Sequence, residues 1–276
     1  MVMNAQNDNT SPIDFFSSHP VFTHEEFLVA HAQAKGRSRH TSNNLLALHL
    51  AAGRLVRVRR GLYATVPRGV DQKAAVVDPY LVATKLADDA VVAYHAALQF
   101  HGKTYSVSNR FTYLSRRRGR SFRFRQAEFV PVQFPAPLRQ LPDAGGGTIE
   151  QRHAGGVVRV TTFERTLVDV LDVPEHGGGW EEIWRSLETV EFFDLDAVVE
   201  YTLKLGSALT VARVGFFLEQ HRERLMVEDR HLEALRSHAP AQPRYLDRRR
   251  EPGKLVSRWN LVVPERVLSR AWADVP

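Results

Sequence analysis

Arginine and the side-chain amides are the residue types whose pattern predicts chemistry in this sequence. Arginine presents a planar set of donors that fits phosphate or the edge of guanine, and asparagine pairs with base edges. The 276 residues include 37 Lys and Arg against 31 Asp and Glu, a net charge of +6. No acid occurs within residues 27–70 or within residues 90–127, and both windows are rich in arginine. The first half is therefore basic, which favours a polyanionic partner.

Three short helices followed by a two-stranded hairpin are predicted for residues 11–66. A serine–proline pair marks the start of the first helix, and Thr23 with Glu26 forms a capping box that begins the second. Thr41 or Ser42 is expected to cap the third helix, which a glycine ends. The string RLVRVRRGLYATVP then predicts two strands around a tight turn.

This order of elements is typical of a winged helix-turn-helix. In that fold the start of the third helix enters the major groove, and the hairpin contacts phosphate or the minor groove. We therefore predict a domain over residues 1–68 that binds double-stranded DNA. The predicted contacts, at the start of the third helix and on the hairpin, are Arg37, Arg39, Ser42, Asn43, Asn44, Arg57, Arg59 and Arg60. The alternative is a winged helix used only for protein contacts, with the same arginines facing solvent.

Residues 69–175 are predicted to form a mixed α/β domain. Asp78 before a proline begins one helix, the string AYHAALQFHG a second, and Thr161 with Glu164 caps a third over FERTLVDVL. Apolar residues alternate between these helices, which predicts strands near residues 111–113, 122–124, 129–132 and 157–160. A second basic surface, for nucleic acid or an acidic partner, is predicted at Arg116, Arg117, Arg118, Arg120, Arg123 and Arg125.

Residues 176–276 are predicted to be a helical extension with a C-terminal tail. Apolar residues recur at helical spacing in three successive segments over residues 180–218, and a fourth helix is expected at about residues 228–236. The string LVSRWNLVV predicts one strand. The fold class is therefore α+β: an N-terminal winged helix-turn-helix, a mixed α/β domain and a helical C-terminal extension.

Histidines and carboxylates do not form the clusters that metal or acid–base chemistry requires. His95 and His101 are six residues apart, so they do not share a helix face as zinc ligands at i and i+4 would. Arg165 and Asp169 are spaced as a helix-surface ion pair, or as an anchor of the helix to the sheet. The sequence therefore predicts no metal, no cofactor and no catalytic residue.

A magnesium-dependent nuclease is the least favoured reading, because no carboxylate set around a strand is apparent. The glycine runs at residues 145–147 and 177–179 also lack a phosphate-binding motif. The longest stretch without a charge has 14 residues, too short to span a membrane. Together with a polar N-terminus and the absence of cysteine, this favours a cytoplasmic protein.

Three strings in order, RLVRVRRGLY, AYHAALQFHG and VVRVTTFERTLVDVL, resemble the AbiEi-type antitoxins of type IV toxin–antitoxin systems over about residues 12–175. The resemblance implies a non-enzymatic protein whose winged helix represses its own promoter. It also implies a C-terminal domain that counteracts a nucleotidyltransferase-like toxin, with or without direct contact. About 100 residues extend beyond the resemblance. A homodimer would match an inverted repeat in the promoter. The alternative is a stand-alone winged-helix regulator whose second domain senses a ligand or a partner.

Overall fold

The computed structural model describes residues 12–35 and 38–272. Helices and strands are mixed in the α+β manner that the sequence predicts, with three separate sheets. Within the described ranges, no helix is long and apolar enough to cross a membrane. Three regions follow one another along the chain. The first two share an apolar core, because one face of the N-terminal sheet packs against the middle region.

The N-terminal region contains three helices and a three-stranded antiparallel sheet in the order β1-β3-β2. Thr23 and Glu26 form the predicted capping box, with each backbone N–H donating to the other side chain at 2.8 and 3.2 Å. Strand β1 was not predicted, because three residues between two helices carry little pattern. The elements are α1 (Pro12–Ser18), β1 (Val21–Thr23), α2 (His24–Lys35), α3 (Arg39–Ala51), β2 (Leu55–Arg59) and β3 (Leu62–Thr65).

Helix α3 begins earlier than the sequence predicts. Ser38 is its N-cap, and its hydroxyl accepts a hydrogen bond from the Thr41 backbone N–H at 3.3 Å. The prediction that Thr41 or Ser42 caps this helix is therefore wrong. Ser38 lies three residues before Thr41, and its hydroxyl accepts from a backbone N–H of the first helical turn, as an N-cap side chain does. As a result Ser42 lies within the first turns, on the side that faces α2.

The N-terminal sheet is buried on both faces. One face packs against the three helices around Phe22, Leu55 and Tyr63. The other face, which includes Val58 and Leu62, packs against the middle region. The second face of the N-terminal sheet is therefore covered by protein and not by solvent, and the N-terminal region is packed onto the middle region.

The middle region is built on a mixed six-stranded sheet in the order β6-β7-β5-β4-β9-β8, with parallel pairs β5–β7 and β4–β9. Thr162 caps its last helix, one residue after the predicted Thr161, which ends the preceding strand. The polar edge strand Thr148–His153 was not predicted. The elements are α4 (Pro79–Thr84), β4 (Val91–Val92), α5 (His95–Phe100), β5 (Arg110–Ser115), β6 (Phe122–Phe124), β7 (Ala127–Gln133), β8 (Thr148–His153), β9 (Gly156–Thr161) and α6 (Phe163–Asp172).

The C-terminal region has the four predicted helices and then a small sheet. The prediction of one strand over LVSRWNLVV is wrong, because a 3₁₀ turn at Ser257–Trp259 divides it into two antiparallel strands. This turn buries Trp259 against Gly215. The elements are α7 (Trp180–Glu188), α8 (Leu195–Leu205), α9 (Ala208–Gln220), α10 (Asp229–Arg236), β10 (Arg244–Tyr245), β11 (Lys254–Val256), β12 (Leu261–Val263) and α11 (Glu265–Leu268).

One apolar core joins the middle and C-terminal regions. It extends from Val91 and Leu114 in the middle sheet through Leu167 on α6 to Trp184 and Phe217 on the later helices. The predicted boundary between residues 175 and 176 therefore does not separate two cores. Helix α6 packs against α7, α8 and α9 of the C-terminal region and against α5 of the middle region, so it belongs to the packing of both.

Candidate nucleic-acid interface

The exposed face of α3 carries three of the predicted DNA contacts. Arg39, Asn43 and Asn44 are all exposed. The Asn43 side-chain oxygen lies 2.7 Å from His24 Nε2, and the Asn44 amide nitrogen lies 3.2 Å from His40 Nε2. These partners hold the amides at the surface while leaving hydrogen-bonding capacity for a base edge. Arg37, which was also predicted, lies outside the described residues.

Ser42 does not belong to this exposed face. Its residue surface is only 1% exposed, and its hydroxyl donates to the Ser38 carbonyl oxygen at 3.3 Å. The same hydroxyl lies 3.4 Å from Nδ1 of His31 on α2. The prediction that Ser42 contacts DNA is therefore corrected, because the earlier start of α3 turns this side chain inward.

The hairpin of β2 and β3 places its turn beside the exposed face of α3. The Gly61 carbonyl oxygen accepts a hydrogen bond of 2.8 Å from the His24 backbone N–H, and the side chain of His24 contacts Asn43. Gly61 has φ +78°, which the tight turn requires and which glycine adopts without strain. His24 thus connects the turn with α3, a role that no pattern in the sequence indicates.

Arg57 and Arg60 are the hairpin arginines that face solvent. Arg60 is exposed at the turn, and its side chain has no hydrogen bond or ion pair among the described residues. Arg57 is exposed beside the Tyr63 ring, with its guanidinium carbon 5.9 Å from the ring centroid. Both guanidinium groups are available to phosphate.

Arg59 has a partner inside the protein. Its Nη2 donates to the Leu86 carbonyl oxygen at 2.9 Å, and its guanidinium carbon lies 5.4 Å from the centroid of the Phe122 ring. Nearby, Lys85 forms an ion pair with Glu26 of α2. These contacts fasten the hairpin and α2 to the middle region. Arg59 is exposed, but its guanidinium group helps to hold the two regions together.

Two members of the predicted second basic surface are held by backbone carbonyls. Arg116 donates to the carbonyl oxygens of Arg139, Leu141 and Pro142 at 3.2, 2.8 and 2.7 Å. Arg125 donates to the Gln72 carbonyl oxygen at 3.0 Å and also to that of Ala75. Their donors brace loops of the chain, while Arg125 is exposed and Arg116 is half-buried, so a role of these two arginines in the basic surface stays a prediction.

The other four arginines of this surface are exposed. Arg118 donates to the Gln133 side-chain oxygen at 3.0 Å, and Arg123 lies 3.9 Å from a Glu128 oxygen. Arg117 and Arg120 have no side-chain partner in the described part of the chain. The contact of Arg59 with Phe122, a residue of β6, brings this surface next to the hairpin. The structure thus places side by side two clusters that the sequence separates.

Histidines of the middle region have protein partners. Nε2 of His95 lies 3.0 Å from Glu182, and Nε2 of His101 lies 2.9 Å from the Thr161 carbonyl oxygen. Burial lowers the pKa of His101, which keeps its ring neutral at neutral pH. No group of three or more His, Asp or Glu side chains suited to a metal ion occurs within residues 12–35 and 38–272.

Arg165 and Asp169 form a buried ion pair instead of a pair on the helix surface. Their side chains are 1% and 2% exposed, and Arg165 Nε lies 3.4 Å from the carboxylate. Arg165 also donates to the carbonyl oxygens of Ala144 and Gly146, while the Tyr201 hydroxyl donates to Asp169 at 2.8 Å. Burial raises the Asp169 pKa to about 6 against the opposing effect of Arg165 and Tyr201. The pair therefore anchors α6 to the glycine loop and to α8.

Comparison with known proteins places the fold but not the family. No family model matches the chain, and no curated protein matches it either. A crystal structure of the RV2827C protein from Mycobacterium tuberculosis is similar over 96% of this chain and 94% of that chain, with a TM-score of 0.54 and 17% sequence identity. This similarity extends through all three regions and concerns the fold alone.

Proposed function

We propose that the N-terminal region is a winged helix-turn-helix that binds double-stranded DNA and represses the promoter of its own operon. The observation that carries the proposal is the shared surface of α3 and the hairpin turn. There, His24 links Asn43 to Gly61, and Arg39, Arg57 and Arg60 are exposed around them. In a winged helix this surface is the one that meets the major groove and the adjoining phosphates.

The second part of the proposal follows from the resemblance to AbiEi-type antitoxins. The middle and C-terminal regions counteract a nucleotidyltransferase-like toxin encoded beside this chain. The exposed arginines of β6 and its preceding loop lie next to the hairpin and extend the DNA footprint, or meet an acidic partner. The competing function is a stand-alone regulator that needs no toxin.

DNA binding is tested by fluorescence anisotropy with the full chain. The duplex just upstream of its own reading frame is compared with a scrambled duplex over a salt series. We expect specific binding tighter by about 10³-fold or more, with log K falling against log salt by about 0.9 for each phosphate neutralised. Equal and weak binding of both duplexes would refute sequence-specific repression.

Matched variants locate the contact. Arg57→Gln with Arg60→Gln removes two exposed cations from the hairpin, whereas Arg244→Gln with Arg249→Gln removes two exposed cations from the C-terminal region. We expect the first variant to flatten the salt slope by about 2 and the second to leave it unchanged. Arg59 is left unchanged, because its substitution would also remove its contacts with Leu86 and Phe122. A loss of DNA affinity could then come from a change in the fold as well as from the lost charge.

Antitoxin activity is tested by co-expression with the product of the adjacent reading frame. Rescue of growth, retained by Arg57→Gln/Arg60→Gln while promoter repression is lost, would support the antitoxin and its division of labour. A toxic neighbour that this chain does not neutralise would favour the stand-alone regulator.

A further inference from the structure

A pocket with a volume of about 660 Å³ opens at the end of the N-terminal sheet opposite the hairpin turn. Its walls are the ends of α1 and α3, the turn from α3 to β2, and the turn that follows β3. Gly53 and Gly69, with φ of +70° and +79°, make those two turns. A volume of this size is ordinary for a small-molecule site.

The inner wall of the pocket is apolar. Phe16 is 7% exposed and packs edge-on against the ring of His49, with the ring centroids 4.7 Å apart. Phe16 also stacks on Phe27 in the core of the N-terminal region. Pro20 and Val66 complete this wall. An apolar body of a ligand would find preformed surface here, so binding would cost little reorganisation.

The rim of the pocket is cationic. Arg54 and Arg68 line it, both are exposed, and neither side chain forms a hydrogen bond or ion pair with another described residue. None of the described residues that line the pocket is acidic. Two guanidinium groups without a counter-charge at the mouth of an apolar pocket are complementary to a carboxylate.

His49 is a neutral residue of the same pocket wall. The residue is only 5% exposed, and its Nδ1 is buried without a hydrogen-bond partner among the described residues. Burial and then the nearby Arg54 lower the His49 pKa, so the ring is neutral at neutral pH. The imidazole therefore adds no charge to the pocket, and its ring continues the aromatic wall that Phe16 forms.

We propose that this pocket binds a compact apolar carboxylate. The body of the ligand lies against Phe16, Pro20 and Val66, and its carboxylate faces Arg54 and Arg68. This site is separate from the DNA surface, because the strand pairing runs from Leu55–Thr65 at the pocket to Arg59–Leu62 at the turn. At about 3.3 Å per residue, the two ends of the hairpin are roughly 13 Å apart.

The test is ligand-observed NMR with the full chain and three probes. They are 2-naphthoate, its neutral analogue 2-naphthamide, and acetate, which has the charge without the apolar body. We expect 2-naphthoate to bind at millimolar concentration or below, about tenfold more tightly than 2-naphthamide, and acetate to show no binding.

Variants assign the binding to the pocket. Arg54→Gln with Arg68→Gln should weaken 2-naphthoate about tenfold and bring it level with 2-naphthamide, and Ala52→Trp should block both probes by filling the pocket. Arg244→Gln with Arg249→Gln is the matched control that should change nothing. No binding of 2-naphthoate, or binding that survives Ala52→Trp, would overturn the proposal. Neither result bears on DNA binding, which is measured without these probes.

Discussion

Glu182 is a buried carboxylate whose charge should contribute strongly to stability. Its side chain is 10% exposed, and it extends from α7 toward α5 and the loop before β5. It accepts hydrogen bonds from His95 Nε2, the Ser106 backbone N–H and the Ser106 hydroxyl at 3.0, 3.0 and 2.6 Å. The Ser186 hydroxyl donates a fourth bond at 2.9 Å. Burial raises the Glu182 pKa, but the four donors outweigh it and lower the pKa from 4.5 to about 2.

The size of the effect follows from this pKa. A pKa lowered on folding means that the unfolded chain binds the proton more tightly, so stability is present above pH 4.5 and is lost as the pH falls toward 2. At about 1.4 kcal/mol per pKa unit, the ionised carboxylate stabilises the fold by about 3 kcal/mol at pH 7. At pH 3 only about 1.4 kcal/mol of this contribution remains.

The variant Glu182→Gln keeps the shape of the side chain and removes its charge. We expect the free energy of unfolding in urea to fall by about 3 kcal/mol at pH 7, and the gap to the unsubstituted chain to narrow as the pH is lowered. Glu181→Gln, on the same helix but 44% exposed, is the control and should lose less than about 1 kcal/mol. A gap that stays constant with pH would show that shape, not charge, holds this site together.

Three further substitutions test buried contacts. Arg165→Met should lower the free energy of unfolding by about 3–5 kcal/mol at pH 8, because the charged Asp169 loses its buried partner. The loss should be smaller at pH 5, because the Asp169 carboxyl, with a pKa raised to about 6, is protonated there. Urea unfolding at both pH values measures the difference. Gly215→Ala should lower stability by about 1–3 kcal/mol in the same assay, because the added methyl group clashes with the Trp259 ring. Ser42→Ala should lower the unfolding free energy by about 1 kcal/mol but leave promoter affinity in anisotropy unchanged, and a loss of affinity without a loss of stability would contradict the inward position of Ser42.

Local signals allowed the helices to be predicted, except for the four-residue α11 (Glu265–Leu268). The capping pairs are examples, since Thr23 and Glu26 interact within one turn and the structure contains both of their hydrogen bonds. The order of three helices and a hairpin was also predictable from apolar spacing. Strand β8 was missed because its residues are mostly exposed and polar, so the alternation that marks a half-buried strand is absent.

The roles of individual arginines were not predictable, because their partners are distant in sequence. Arg116 and Arg125 look like solvent-facing cations in the string RRRGRSFRFR, yet Arg116 binds carbonyls more than 20 residues ahead and Arg125 binds carbonyls about 50 residues behind. Arg165 likewise has the i, i+4 spacing of a surface pair but is buried by the glycine loop and α8. Because every residue has a backbone carbonyl, the sequence does not indicate which distant carbonyl an arginine will bind.

Arg59 illustrates how the joint between regions constrains the proposed function. Its guanidinium contacts Leu86 and Phe122, while Lys85 pairs with Glu26 and the second face of the N-terminal sheet packs on the middle region. These contacts fasten the proposed DNA-binding surface to the middle region. Under the proposed function, we expect the exposed arginines beside β6 to meet DNA at a fixed offset from the hairpin turn. The spacing between the base-specific contacts and the outer phosphate contacts of the promoter should accordingly be invariant, and a duplex with one base pair inserted between them should lose affinity.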